Sequence, residues 1–238
     1  DELDAADAEF IIATGVHRGP TLEEYNFIFG DHYKHFASRI HVHDARADEE
    51  MVSIGTSSNG TEMIINRMGV EYEKLLVIGS VEPHYFAGFT GGRKGILPGI
   101  AAFKTIEQNH EHALHPDARA LKLEGNPVHE DMIDALKILD NQIFGIMTVL
   151  DKNHRIYAAT SGDIHKSFYA AVDKAKEVFV AEVEAPADIV VSVARYPMDV
   201  DLYQAQKAIE NGKLILKDGG ILILVASCRE GLGEEAFV

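Results

Sequence analysis

The sequence predicts an α/β fold, organised as two α/β domains with largely parallel sheets. Apolar, β-branched runs alternate with helical patterns almost throughout the 238 residues, the order that strand–helix–strand units produce. No internal repeat or low-complexity segment interrupts them. A new buried run, Asp188-Ile-Val-Val-Ser-Val193, begins just after Val183-Glu-Ala-Pro-Ala187 and marks a boundary. The expected domains are therefore 1–183 and 184–238, with an active-site cleft at the seam.

The first strand is expected at Glu9–Thr14. Thr21-Leu-Glu-Glu24 is a capping-box pattern opening a helix, Thr21–Phe29, that Gly30 stops. Strands at Arg39–His43 and Lys74–Gly79 precede helices at Ile100–His112 and Pro127–Leu139. Strands Ile143–Leu150 and Arg155–Thr160 then lead to a long charged helix, Asp163–Val180. Beyond the boundary come strand Asp188–Val193, helix Leu202–Leu216 and strand Gly220–Val225. The chain opens on Asp1 and closes at Phe237-Val238, past a glycine-rich turn that leads toward another element. A piece of a longer polypeptide is expected.

Lysine and arginine number 22 against 38 acidic residues, a formal net charge of -16. Such a surface repels phosphate backbones and argues against a nucleic-acid partner. The longest apolar stretches, such as Ile221–Ala226, fall far short of the roughly 20 residues of a membrane span. No basic-then-apolar leader pattern opens the chain. The single cysteine, Cys228, excludes an internal disulfide and a C-x-x-C zinc site. A cytoplasmic protein is expected.

Ligands of open parallel sheets bind beyond the carboxyl ends of the strands, and two such ends stand out. One is Ala13-Thr-Gly-Val-His17-Arg18, where a strand meets a glycine and then presents a histidine. The other is the long loop from Val77 through His84 to Lys94 and Gly99, with five glycines between Gly88 and Gly99. Gly91-Gly92 lets backbone approach a ligand and turn N–H groups toward an anion. Because Gly95 follows Lys94, the loop is no P-loop; a surface turn with a solvated lysine is the plain alternative. Of twelve histidines, His41 and His43 share a strand face as metal ligands do, or are simply strand-end histidines. His110 near the end of a helix is either a ligand or a charge cap. Tyr203, Gln204 and Lys207 share a helix face, as a carboxylate-binding set or an ordinary amphipathic start.

Taken together and in order, these segments resemble the nickel-dependent lactate racemase family, whose members carry a nickel pincer nucleotide. The matching pieces are Ala13–Arg18, Pro83-His84, Gly88-Phe-Thr-Gly-Gly-Arg-Lys94 with Pro98-Gly99, Asn109-His110, Leu202–Lys207, and Gly219-Gly220 with Ala226–Gly231. The likeness covers nearly the whole chain, and the long glycine loop with its embedded His84 and Lys94, followed by Asn109-His110 sixteen residues after the lysine, is highly specific. It implies that Lys94 carries the pyridinium-derived nucleotide as a thioamide and that His110 is the protein ligand of nickel, a metal imidazole suits. It implies that His17 and His84 are the paired acid/base residues, and that Gln204, Lys207 and Tyr203 hold the substrate. The implied activity is racemisation or epimerisation of a 2-hydroxy acid, lactate or a relative, by proton-coupled hydride transfer. Separate proteins that synthesise the cofactor are implied partners. The family also has a preceding segment contributing a substrate-binding arginine and a continuation beyond the equivalent of Val238, so this piece alone is expected to be inactive or weakly active. The cofactor phosphate at Gly91-Gly92 is an expectation outside the family pattern.

The chemistry gives independent reason for such parts. The Cα–H of a 2-hydroxy acid is unactivated, so a histidine alone faces a high barrier, whereas hydride removal with a base on the hydroxyl proton yields a planar ketone. Two imidazoles, with ordinary pKa values of about 6.5, serve the two directions. Rival readings are a metal-dependent hydrolase built on His41, His43 and a third histidine, a Schiff-base Lys94 with pyridoxal phosphate, and a non-catalytic nucleotide-cofactor binding module.

Overall fold

In the computed structural model, which describes residues 8–233, strands separated by helices pair in parallel. β1 (Phe10–Ile12) lies parallel to β2 (Ile40–Val42), with helix α1 (Leu22–Phe29) between them. The capping box closes as the sequence predicts: Glu24 N–H donates to Thr21 Oγ1, and Thr21 N–H donates to the Glu24 carboxylate. A hairpin follows, β3 (Met51–Thr56) with β4 (Glu62–Asn66), which the sequence reading passed over. Its signal was Asn59-Gly60 between two apolar stretches.

β5 (Lys74–Ser80) leads into two short strands, β6 (Pro83–His84) and β7 (Gly88–Phe89), and then a tight turn over Gly92–Gly95. Helix α2 (Phe103–Glu111) starts later than Ile100, because Ala101 bridges to Ile65 and Ala102 N–H donates to the Ile64 carbonyl. Helix α3 (Pro127–Ile138), capped by the Asn126 side chain, precedes β8 (Gln142–Leu150). β8 is parallel to β5 throughout and antiparallel to β9 (Ile156–Asp163), giving the order β5-β8-β9. Helix α4 (Ile164–Phe179) places Ile164, Phe168, Ala171, Val172 and Ala175 on one stripe. That stripe shares a core with Met147 and Val149 of β8 and with Val128, Met132 and Ala135 of α3. The parallel pairs thus alternate with antiparallel hairpins.

Contacts divide the chain into two compact units, Asp1–Val178 and Phe179–Val238. In the second, β10 (Ala187–Val193) lies parallel to β11 (Leu216–Val225) with helix α5 (Leu202–Lys213) between them. Asp201 caps α5 by accepting from Gln204 N–H, and the helix stops at Lys213 before Leu216 opens β11. The element expected after the Gly231–Gly233 turn lies outside the described residues. Among the described residues no helix is long and apolar enough to cross a membrane.

One buried carboxylate ties the pieces of the first unit together. Asp131 of α3, fully buried, accepts from Ser57 Oγ and Asn59 Nδ2 of the β3–β4 turn at 2.8 and 3.1 Å, and from Thr61 Oγ1. Asn109 Nδ2 of α2 also reaches it, at 3.4 Å. Removing the acceptor strands several buried donors, each worth about 1–3 kcal/mol when unsatisfied. Asp131→Ala should therefore lower unfolding free energy by at least that much. Ser58→Ala, which removes an exposed bond to Asp134, should stay within about 0.5 kcal/mol. Equal stabilities of the two variants in urea melts would refute the hub.

Candidate active site

The β5–β8 pairing fixes where the long loop begins: Val81, fully buried just past β5, donates its N–H to the Thr148 carbonyl at 2.8 Å. From there the chain turns back through β6 and β7, and Phe86 is buried between them. Its ring meets the His84 ring edge-on at 4.5 Å between centroids and the His110 ring at 5.0 Å. Lys94 Nζ stands 5.9 Å from the same Phe86 ring. Three residues singled out in the sequence, His84, Lys94 and His110, therefore gather around one aromatic side chain that the sequence reading did not name.

The His17 segment is fastened to the same loop by its backbone. Gly15 N–H donates to the Gly99 carbonyl at 2.9 Å, and Thr14 Oγ1 donates to the His43 carbonyl. His17 itself is exposed, its N–H bonded to the Thr14 carbonyl at 3.0 Å. Thus the two conspicuous strand ends adjoin, through Gly15 and Gly99.

The electrostatics of the cluster follow from burial. His110 Nδ1 lies 2.7 Å from the Ile106 carbonyl, so the neutral ring carries its proton on Nδ1 and leaves the Nε2 lone pair open. That arrangement orients imidazoles that bind metals. Burial, reinforced by the nearby Lys94 charge, holds the His110 pKa below its ordinary value and favours the neutral ligand form. For His84 the polarity is reversed, because Ala87 N–H donates to Nδ1 at 3.2 Å and the neutral ring then bears its proton on Nε2. Burial is also the main force on Lys94, with the adjacent Arg93 cation second; together they push its pKa down to about 7.

Arg93 is fully buried and its described partners are all neutral. Nε donates to His129 Nδ1 at 3.0 Å, Nη2 to the Ala87 carbonyl at 2.7 Å, and Nη1 to the Thr90 and Gly91 carbonyls. The guanidinium stacks over Phe168, 4.3 Å from the ring centroid. Nothing in the sequence flagged His129, which lies on α3, thirty-six residues away from the arginine it serves.

The surroundings of two further sequence features are also defined. The Gly91-Gly92 pair does not turn its bare face to open space. A Cβ on Gly91 would stand 2.6 Å from Val81 Cγ2, and one on Gly92 would stand 2.9 Å from Phe168. Both have positive φ, and the buried Gly92 N–H is directed at Met147 Sδ, 3.1 Å away. Inward packing accounts for both glycines without any ligand. His41 and His43 also fail to act together. His41 is exposed and pairs with Glu9 at 2.8 Å, whereas His43 is buried with Nε2 at 3.0 Å from the Ala101 carbonyl. Among the described residues no group of three or more His, Cys, Asp or Glu side chains is arranged to hold a metal. In the second unit, Lys207 Nζ donates to Gln204 Oε1 at 2.8 Å, so these two and Tyr203 do share the first turns of α5.

The residues present suit a covalently held nickel cofactor: one amine near neutrality and one imidazole with a bare nitrogen around a shared aromatic platform. In cofactor-free protein, acylation of Lys94 by a small amine-reactive anhydride, which releases its carboxylate as the amide forms, should show a midpoint near pH 7 when read by peptide mass spectrometry. The neutral, reactive amine then predominates above that pH, where an ordinary lysine (10.5) is still charged. A midpoint near 10 would contradict the burial argument.

Comparison with known proteins places the chain in a family. Residues 2–121 match the lactate racemase N-terminal domain and residues 182–238 match the lactate racemase C-terminal domain. The chain is 41% identical to lactate racemase from Thermoanaerobacterium thermosaccharolyticum and 37% identical to that from Lactiplantibacillus plantarum. Each alignment covers 98% of this chain and 55% of the relative, so the chain spans about half the length of the curated relatives it matches. The structure of the lactate racemase apoprotein from T. thermosaccharolyticum superposes with a TM-score of 0.89, covering 98% of this chain and 56% of that one. A Thermotoga maritima protein of known structure, 20% identical, shares the fold with a TM-score of 0.71, over 92% of this chain and 59% of that chain. The chain belongs to the lactate racemase family.

Proposed function

We propose that the protein of which this chain forms part interconverts the enantiomers of a small 2-hydroxy acid, lactate first, using a nickel pincer nucleotide. The observation that carries this reading is the gathering of His84, Lys94 and His110 around Phe86 in a member of this family. Lys94 is the attachment point, its amine available in neutral form for a thioamide bond. His110 offers Nε2 to nickel while the Ile106 carbonyl holds its other nitrogen. When bound, the cofactor supplies reversible hydride acceptance, which turns the tetrahedral Cα planar.

The remaining work belongs to the chain's own side chains. His17 and His84 serve as acid/base residues, one for each direction of reaction. In its present tautomer His84 can donate Nε2–H to a substrate oxygen, and taking the hydroxyl proton at Nε2 requires release of the Ala87 bond. Lys207, paired with Gln204, supplies a cation for the substrate carboxylate, and Tyr203 on the same helix turn lends a phenol. The first unit is assigned to cofactor binding. Cofactor-synthesising proteins are its proposed partners and the cytoplasm its proposed location.

His17→Ala and His84→Ala should retain nickel and the Lys94 adduct yet lose roughly 100- to 10,000-fold in lactate racemisation, the usual contribution of a positioned acid/base group. Wild-type turnover in either would sink the two-base scheme. For Lys207→Ala the expected change is a raised KM with kcat nearly kept, because the ammonium binds ground and transition states alike; an unaltered KM would remove it from substrate binding.

A further inference from the structure

We infer that Arg93, seated on His129, is a positioning residue that locks His84 and Lys94 into one geometry. The inference rests on the reading above for what those two residues do, but its geometry is independent of that reading. A single guanidinium reaches both. Its Nη2 donates to the Ala87 carbonyl at 2.7 Å, and the N–H of that same residue donates to His84 Nδ1 at 3.2 Å. Its Nη1 donates to the Gly91 carbonyl at 3.2 Å, which also accepts from the Lys94 N–H at 3.1 Å. One residue therefore holds the imidazole of His84 through Ala87 and the backbone of Lys94 through Gly91.

The support behind Arg93 is equally definite. Because His129 Nδ1 accepts from Arg93 Nε, the neutral ring carries its proton on Nε2, which lies 3.2 Å from the Tyr169 hydroxyl. Burial first, and then the Arg93 charge, push the His129 pKa down to about 3, so the ring remains an acceptor at any working pH. Phe168 covers the guanidinium plane from α4. Helices α3 and α4 thus reach the site through one planar fork. Lysine, a point charge with no fixed fork, cannot make these bonds at once.

A core residue that merely filled space would affect stability and nothing else, and the test separates the two. Intact protein would be made together with the cofactor-building enzymes and labelled with nitrogen-15 histidine. Arg93→Lys and His129→Phe would be compared with Val149→Ala, a buried core change outside the network. In wild type the His84 ring should show Nδ1 as acceptor. Arg93→Lys should shift that pattern and lower kcat for lactate roughly 10- to 100-fold, the range that about 1 Å of misplacement costs. His129→Phe should do the same to a smaller extent, and it decides the matter if Arg93→Lys does not fold. Wild-type His84 signals and kcat in folded Arg93→Lys would overturn the inference, as would equal losses in Val149→Ala at the same Tm. Should wild type carry no adduct on Lys94, the cofactor reading fails, and the His84 signals alone then decide the brace.

Discussion

Burying a cation among neutral oxygens is tolerated only where enough of them converge on it. The carbonyls of Ala87, Thr90 and Gly91 converge on Arg93, with His129 as the fourth acceptor, and this sets the course of the chain after β5. The loop must curl inward for its carbonyls to point at one guanidinium, and the curl needs Gly91 and Gly92, where side chains would strike Val81 and Phe168. Once curled, it carries Phe86 into the interior and sets Lys94 beside it. The loop's outer end at Gly99 then takes the Gly15 N–H, which brings the His17 turn alongside.

Burial lowers the pKa of each basic group gathered at the loop. It moves Lys94 and His110 toward their neutral forms, and neutral forms are what covalent attachment and metal ligation require. The retained Arg93 charge works in the same direction on Lys94. The chemistry of the site is thus a product of packing: α3 and α4 seal the sheet, the sheet and helices seal the loop, and the sealed loop shifts two basic groups toward their neutral forms.

Much of this was legible in the residues, for identifiable reasons. The capping box at Thr21–Glu24 is a purely local device and closes as the spacing says. The strands β5 and β8 and the helices α3 and α4 have periodic apolar stripes, and their ends fell within a few residues of expectation. The β3–β4 hairpin was missed despite Asn59-Gly60: β3 buries no residue fully, and Ser53 and Gly55 break its apolar run. The partners that fix the site were not legible at all: Asp131, His129 and Phe168 lie on helices far along the chain, and no local pattern marks which helical residue will face a loop. The glycines are ambiguous for a related reason, since a missing side chain suits ligand approach and inward packing equally.

The central claim is that burial and the Arg93-braced loop prepare Lys94 and His110 for one nickel cofactor. Its most direct test is intact-protein mass spectrometry with nickel analysis, on full-length protein co-produced with the cofactor-building enzymes. The account requires a covalent adduct that maps to Lys94 and about one nickel per chain. An unmodified Lys94 under those conditions, or nickel bound with His110 replaced by alanine as firmly as without, would contradict it.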